Sequence, residues 1–261
     1  MYKIGSNTIH DTHPRGWLSL QQIVKYSSNI GMTKVIEMVG SDTLYTTLKK
    51  FGFGNKTGLD CPGETAGTLT DNDRWTHIDT SAISFGQGVS VSAIQLVSAA
   101  AAIANDGFRM KPYIVHAITS QSGRVLEQTK PQVVTHAVSP EVATIVKRIM
   151  QTVVTEGGTG TSASLPGYTV CGKTGTAQKI DENGNYAHGK YTASFVGFAP
   201  LENPSIAILV VIDEPTSEHY GGTVAAPAFR KIAHETLHYL NVPPSTRRGL
   251  IKATLLTGDG N

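Results

Sequence analysis

Gly167-Tyr168-Thr169-Val170-Cys171-Gly172-Lys173-Thr174-Gly175-Thr176-Ala177-Gln178 is the stretch on which the reading of the chain turns. Its first eight residues fit the phosphate-loop pattern G-x-x-x-x-G-K-[ST], and Asp213-Glu214 closes an apolar run like the magnesium-holding strand end of such proteins. A phosphate loop needs a strand before it and a helix after it, so that backbone N–H groups converge on the anion. Here the order is reversed. Gly160, Thr161, Ser162 and Pro166 precede it, whereas Tyr168-Thr169-Val170 inside it is strongly strand-forming. After Thr176 the chain runs into Asp181-Glu182-Asn183-Gly184-Asn185, a turn and no helix. The segment therefore reads as a strand over 168–178 with Lys173 on it, and a nucleotide hydrolase is the remote alternative.

Downstream, residues 191–199 and 206–213 read as two more strands, and Pro227 opens a closing helix to residue 240. Upstream, Ser139-Pro140-Glu141 supplies a cap, a proline at the first helical position and an early acid, opening a helix through Val142, Ile145, Val146, Ile149 and Val153. Residues 92–104 predict an Ala-rich, central, buried helix, and 110–118 with 124–128 a hairpin around Gln121-Ser122-Gly123. Residues 51–80 read as loops. Near the start, Ser19 and Gln22 form a capping box for a short helix. The polar break Ser27-Ser28-Asn29 follows, then a helical run through Val35, Ile36 and Val39 that Gly40 stops, and another helix over 42–50. Helices early and adjacent strands late predict an α+β fold with an antiparallel sheet.

The 261 residues suffice for one large domain, with 39% hydrophobic and 16% charged residues and 27 scattered glycines, a globular composition rich in turns. The formal charge of +2 contains no block of one sign, so nothing asks for nucleic acid. Cys61 and Cys171 make no disulfide framework and read as two unpaired core thiols. No apolar run reaches the length of a membrane span, and residues 1–7 have no signal-peptide character.

His234-Glu235-Thr236-Leu237-His238 fits the zinc-protease pattern H-E-x-x-H. The core stripe of that helix, however, is Phe229, Ile232/Ala233, Thr236/Leu237 and Leu240, which turns both histidines outward. A catalytic zinc also wants a third protein ligand, so no metal site is expected here beyond the chance binding of a stray ion. His10 and His13, in a loop before Pro14, read the same way.

Lys173-Thr174-Gly175-Thr176 and Ser27-Ser28-Asn29 fit two of the three boxes S-x-x-K, S-x-N and K-[ST]-G, in order and in the right structural contexts. From Gly16 to Pro244 the sequence resembles the class B penicillin-binding proteins. The likeness includes Gly16-Trp17-Leu18-Ser19-Leu20, Phe51-Gly52-Phe53-Gly54, Gly58-Leu59-Asp60-Cys61-Pro62-Gly63-Glu64 and Ser84-Phe85-Gly86-Gln87-Gly88. Ser194-Phe195-Val196-Gly197-Phe198-Ala199-Pro200 and Tyr220-Gly221-Gly222-Thr223-Val224-Ala225-Ala226-Pro227 most resemble the septal, division-specific branch.

That resemblance implies a five-stranded antiparallel sheet flanked by helices, in a transpeptidase domain over residues 1–244 followed by a tail or linker over 245–261. It implies a D,D-transpeptidase acting on peptidoglycan stem peptides ending in D-Ala-D-Ala, acylated by β-lactams at the same serine, with no cofactor. Ser27 would relay a proton, Asn29 would bind a substrate amide, and Lys173 would supply positive charge. Thr174 and Thr176 would bind the substrate carboxylate, the Thr176 N–H would form half of the oxyanion hole, and Gly175 would let substrate approach the strand edge. No serine in the chain has lysine three residues on; Thr46/Lys49, Thr47/Lys50 and Thr144/Lys147 have the spacing but use threonine. The expectation is therefore an N-terminally truncated chain whose nucleophile and membrane anchor lie upstream, from a protein of the cell envelope working with cell-division membrane proteins. A non-catalytic relative that binds wall material is the alternative.

Overall fold

The computed structural model describes residues 1–182 and 186–245. In chain order the elements are β1 (Tyr2–Ile4), β2 (Asn7–Ile9), α1 (Leu20–Tyr26), α2 (Asn29–Val39), α3 (Ser41–Phe51), α4 (His77–Ser84), α5 (Ala93–Ala104), β3 (Phe108–Met110), β4 (Ala117–Thr119), β5 (Val125–Gln128), β6 (Val133–His136), α6 (Pro140–Val154), β7 (Cys171–Ile180), β8 (Tyr186–Ala199), β9 (Ile206–Asp213), α7 (Gly221–Val224) and α8 (Ala226–Tyr239). They fall into two units, Met1–Trp17 with Ser28–Thr144 and Leu18–Ser27 with Ile145–Asn261.

In the first unit, local capping chemistry fixes the helix starts. Ser28 caps α2 by accepting the Gly31 N–H, and the reciprocal box of Ser92 with Gln95 opens α5. Gln95 is almost wholly buried, and its amide donates to the carbonyls of Asn55 (2.7 Å) and Ala66 (2.9 Å), so one side chain ties α5 to two loops. Residues 51–80 are not all loop. A second reciprocal box, Thr76 with Asp79, starts α4, with aspartate where the common pattern has Glu or Gln. The expected hairpin is real but short, β4 pairing with β5, while β3 pairs with β6 instead. Cys61 is exposed, so it is no core thiol.

In the second unit, β7, β8 and β9 form one antiparallel sheet in that order. Cross-strand partners share a face. Thr174↔Phe195↔Val210 and Gly172↔Gly197↔Ile208 turn toward α8, whose Ala226, Phe229, Ala233 and Leu237 are buried, while Lys173↔Val196 and Gly175↔Ser194 occupy the other face. The Phe195 and Phe229 rings meet at 4.7 Å in a core that also takes Val154, Ala163, Leu165 and Val170. Ile232 and Leu240, expected in that stripe, are about half exposed. The aromatic pair needs room, and glycines provide it. A Cβ at Gly172 would collide with Phe195, one at Gly160 would lie 2.8 Å from its ring, and one at Gly197 would lie 3.0 Å from Phe195 and 3.1 Å from Phe229. The glycine of the supposed phosphate loop is thus accounted for by core packing.

Three strands, not five, make this sheet among the described residues, because β1–β6 pair only with one another in three two-stranded sheets. β7 begins at Cys171 rather than at 168, since Tyr168 N–H turns back to the Leu165 carbonyl. At the far end Ser245 donates its N–H to the Gly167 carbonyl at 2.8 Å, and the rest of the expected tail lies outside the described residues. Among the described residues no helix is long and apolar enough to cross a membrane.

Candidate active site

The second unit brings Ser27, Lys173, Thr174, Gly175 and Thr176 together. Ser27 ends α1 in the left-handed conformation (φ 56°, ψ 47°), its N–H closing on the carbonyls of Ile23 and Val24. The Lys173 ammonium donates to Ser27 Oγ at 2.7 Å and to the Thr174 carbonyl at 3.0 Å. Burial pushes the Lys173 pKa down to about 8, since desolvation disfavours the charged form. Cys171, two residues earlier, is buried and its thiol is pushed up to about 12 by desolvation, which leaves it unreactive.

Alternation along β7 puts the two threonine hydroxyls on the opposite face from Lys173. Thr174 Oγ1 shares a hydrogen bond with Thr159 Oγ1 at 2.8 Å, and Thr176 Oγ1 accepts the Gly221 N–H at 3.2 Å. A Cβ at Gly175 would run into Ser194 Oγ, and one at Gly221 into the Ser194 and Gly175 carbonyls, so β7, β8 and α7 meet at backbone distance. A side chain at Gly175 would displace the Ser194 hydroxyl, so packing within the unit also favours glycine there.

Asn29 belongs to the first unit, where it opens α2 and its amide donates to the His10 carbonyl at 3.1 Å. Asp11 holds the same turn, accepting from Ser28 Oγ (2.6 Å) and from the Ile30 N–H (3.0 Å). The sequence reading missed these partners, together with Thr159 and Lys25. The Lys25 ammonium donates to the Glu156 carbonyl at 2.8 Å, so the loop at 155–160 touches both α1 and β7, the two elements that present Ser27 and Thr174. None of these residues sits in a recognisable motif; only the glycine-rich composition of 157–160 hinted that the loop lies close to other backbone. Thr159→Val keeps the shape and removes the hydroxyl. It is expected to lower the stability of the chain by about 0.5–1.5 kcal/mol, the worth of one neutral hydrogen bond, while Thr159→Ser restores it. Urea unfolding of the three forms is the check, and equal stabilities for the valine and serine variants would refute a role for that hydroxyl.

A strand carrying Lys-Thr-Gly-Thr, its lysine on the serine that ends a helix, with that helix followed at once by Ser-Asn, is the arrangement in which two of the three boxes of the penicillin-recognising fold stand. Residues 2–234 match the penicillin binding protein transpeptidase domain, and the chain belongs to that family. It is 37% identical over 246 residues to the probable peptidoglycan D,D-transpeptidase PenA of Neisseria gonorrhoeae, covering 94% of this chain and 40% of that protein. To the stage V sporulation protein D of Bacillus subtilis it is 38% identical, covering 88% of this chain and 36% of that protein. Among solved structures, penicillin-binding protein 3 of Mycobacterium tuberculosis in complex with aztreonam superposes with a TM-score of 0.85 at 34% identity, covering 93% of this chain and 56% of that one. The transpeptidase domain of penicillin-binding protein 3 of Burkholderia pseudomallei gives 0.81 at 38% identity, covering 91% and 69%. The chain thus spans less than half the length of these two sequence relatives. Residues 167–174 form a turn and a strand, not a loop leading into a helix, which removes the physical basis of the phosphate-loop reading.

Proposed function

We propose that the chain is part of a serine D,D-transpeptidase that cross-links peptidoglycan stem peptides ending in D-Ala-D-Ala during septal wall synthesis. The observation that carries this reading is the 2.7 Å hydrogen bond from Lys173 to Ser27 on a Lys-Thr-Gly-Thr strand. In the proposed reaction a serine from an S-x-x-K segment outside these 261 residues attacks the penultimate D-Ala carbonyl, and the lysine of that segment accepts its proton. Ser27 relays the proton to the leaving D-Ala amine. Lys173 donates to Ser27 Oγ and therefore leaves the hydroxyl hydrogen free to be passed on. The same cation attracts the terminal carboxylate of the substrate, which the Thr174 and Thr176 hydroxyls bind. Asn29 holds a substrate amide, the Thr176 N–H helps to stabilise the oxyanion, and an extended peptide lies along the edge of β7 like another strand.

β-Lactams acylate the same serine in this reading, and no cofactor takes part. The septal assignment draws on residues 194–200 and 220–227. With it go a place on the outer face of the cytoplasmic membrane, an anchor carried by the parent protein, and membrane-bound cell-division partners. A non-catalytic, wall-binding relative is the second reading, favoured by the lack of S-x-x-K anywhere in the sequence.

Labelling with a fluorescent penicillin separates the two. This chain is compared with a form extended upstream through an S-x-x-K segment, and intact mass counts the adducts. The expected result is one adduct on the extended form and none on the 261 residues. A folded extended form that stays unlabelled would sink the enzymatic reading in favour of the binding module.

A further inference from the structure

Outside the site, α8 carries a pair of side chains that the transpeptidase reading leaves unused. His234 and His238 lie one turn apart on the face opposite the buried Phe229, Ala233 and Leu237, with His234 half exposed and the ring centroids 5.4 Å apart. That spacing has a chemical meaning. A first-row divalent ion sits about 2.0–2.1 Å from an imidazole nitrogen, hence about 3.2 Å from the ring centre, and two such rings have centroids about 4.5 Å apart at a right angle and about 5.2 Å apart at a tetrahedral angle. The observed separation lies close to this range.

Two further observations favour a cation at this place. Glu235 Oε1 lies 3.5 Å from His234 Nδ1, which sets a negative charge beside the imidazole and attracts a cation to this place. His238 stands in the last turn of a 14-residue helix, where the negative end of the helix dipole favours a cation. Among the described residues no group of three His, Cys, Asp or Glu side chains could hold a metal. A third protein ligand is therefore lacking among the described residues, which leaves the other positions of such a site to water.

We propose that His234 and His238 form a surface site for one imidazole-preferring divalent ion, Cu²⁺ ahead of Zn²⁺ or Ni²⁺, with water in the remaining positions. The site is non-catalytic and independent of acyl transfer.

The test is calorimetric titration of the apo chain with Cu²⁺, paired with the thermal shift that binding to the folded state produces. One ion is expected per chain. His234→Ala and His238→Ala are each expected to lower its affinity by at least the roughly 10–100-fold that loss of an outer-shell partner costs, and to abolish the shift. Glu235→Gln weakens binding without abolishing it, and His13→Ala leaves it unchanged. All four positions lie outside the packed core, and unchanged far-ultraviolet circular dichroism verifies each fold. Equal Cu²⁺ affinity in the wild type and both α8 histidine variants would overturn the proposal, as would loss of binding in His13→Ala.

Discussion

Lys173→Ala lowers the rate of acylation by a penicillin by about 10²–10³-fold, the usual cost of removing one preorganised electrostatic donor. The measurement is the second-order acylation rate of the form extended through S-x-x-K. The magnitude follows from the position of the ammonium, which is buried, fixed by the Thr174 carbonyl, and placed on Ser27 before substrate arrives. Because burial has brought its pKa down to about 8, the charge is present at neutral pH and is lost as pH rises through that value. Acylation should therefore fall on the alkaline side with a midpoint near 8, an ionisation of the free enzyme. Lys173→Arg, which stays charged, should acylate more slowly than wild type but lose that alkaline limb. A Lys173→Ala variant within about threefold of wild type, or an alkaline limb that persists in Lys173→Arg, would show that the cation is not the source of the effect.

The second large effect concerns stability. Phe195→Ala empties the slot walled by Gly160, Gly172 and Gly197 and removes the partner of Phe229, a change expected to cost about 3–5 kcal/mol. Gly172→Ala attacks the same slot from the wall. Its Cβ would strike Phe195 Cζ, lie 2.8 Å from Cε1 and lie 3.0 Å from the Val196 carbonyl, so overpacking should cost about 1–3 kcal/mol. Gly16→Ala, with no atom within 4 Å of the new methyl, is the control. The decisive measurement is a double-mutant cycle by thermal or urea unfolding. Phe195→Leu should recover part of the loss in Gly172→Ala, giving a sub-additive pair. Strict additivity would mean that the glycine is needed for some reason other than the ring.

Much of this architecture is legible in the sequence, and the exceptions have physical causes. The run 206–213 reads as a strand to the residue, because a continuous apolar stretch of that length has few other uses. Ser19 with Gln22 and Ser139-Pro140-Glu141 give their helix starts because capping is local. α4 escapes notice because its box uses Asp79 and only Ile78 and Ile83 offer an apolar periodicity. The strand start at 168 is misplaced because Tyr168 and Thr169 favour strand locally, while a turn at Leu165 claims the Tyr168 N–H. In the site, the motif boxes name Ser27 and Lys173, yet nothing local joins residues 146 positions apart. Thr159, Lys25 and Asp11 are invisible for the same reason, since a single threonine, lysine or aspartate acquires its role only from what the fold sets beside it. Among the described residues the sheet has three strands and not the five that the resemblance implies, because β1–β6 pair with one another, a choice of partner that no local pattern reveals.

Ser27 closes α1 in a backbone conformation that glycine would adopt freely and that costs an ordinary L-residue on the order of 1 kcal/mol. A helix end built for durability alone would carry glycine there. Serine at 27 thus marks a place where the chain forgoes firmness to keep one hydroxyl within reach of Lys173. A search for hardier variants should favour glycine at this position, and it would gain its extra degrees of melting temperature by silencing the proposed enzyme.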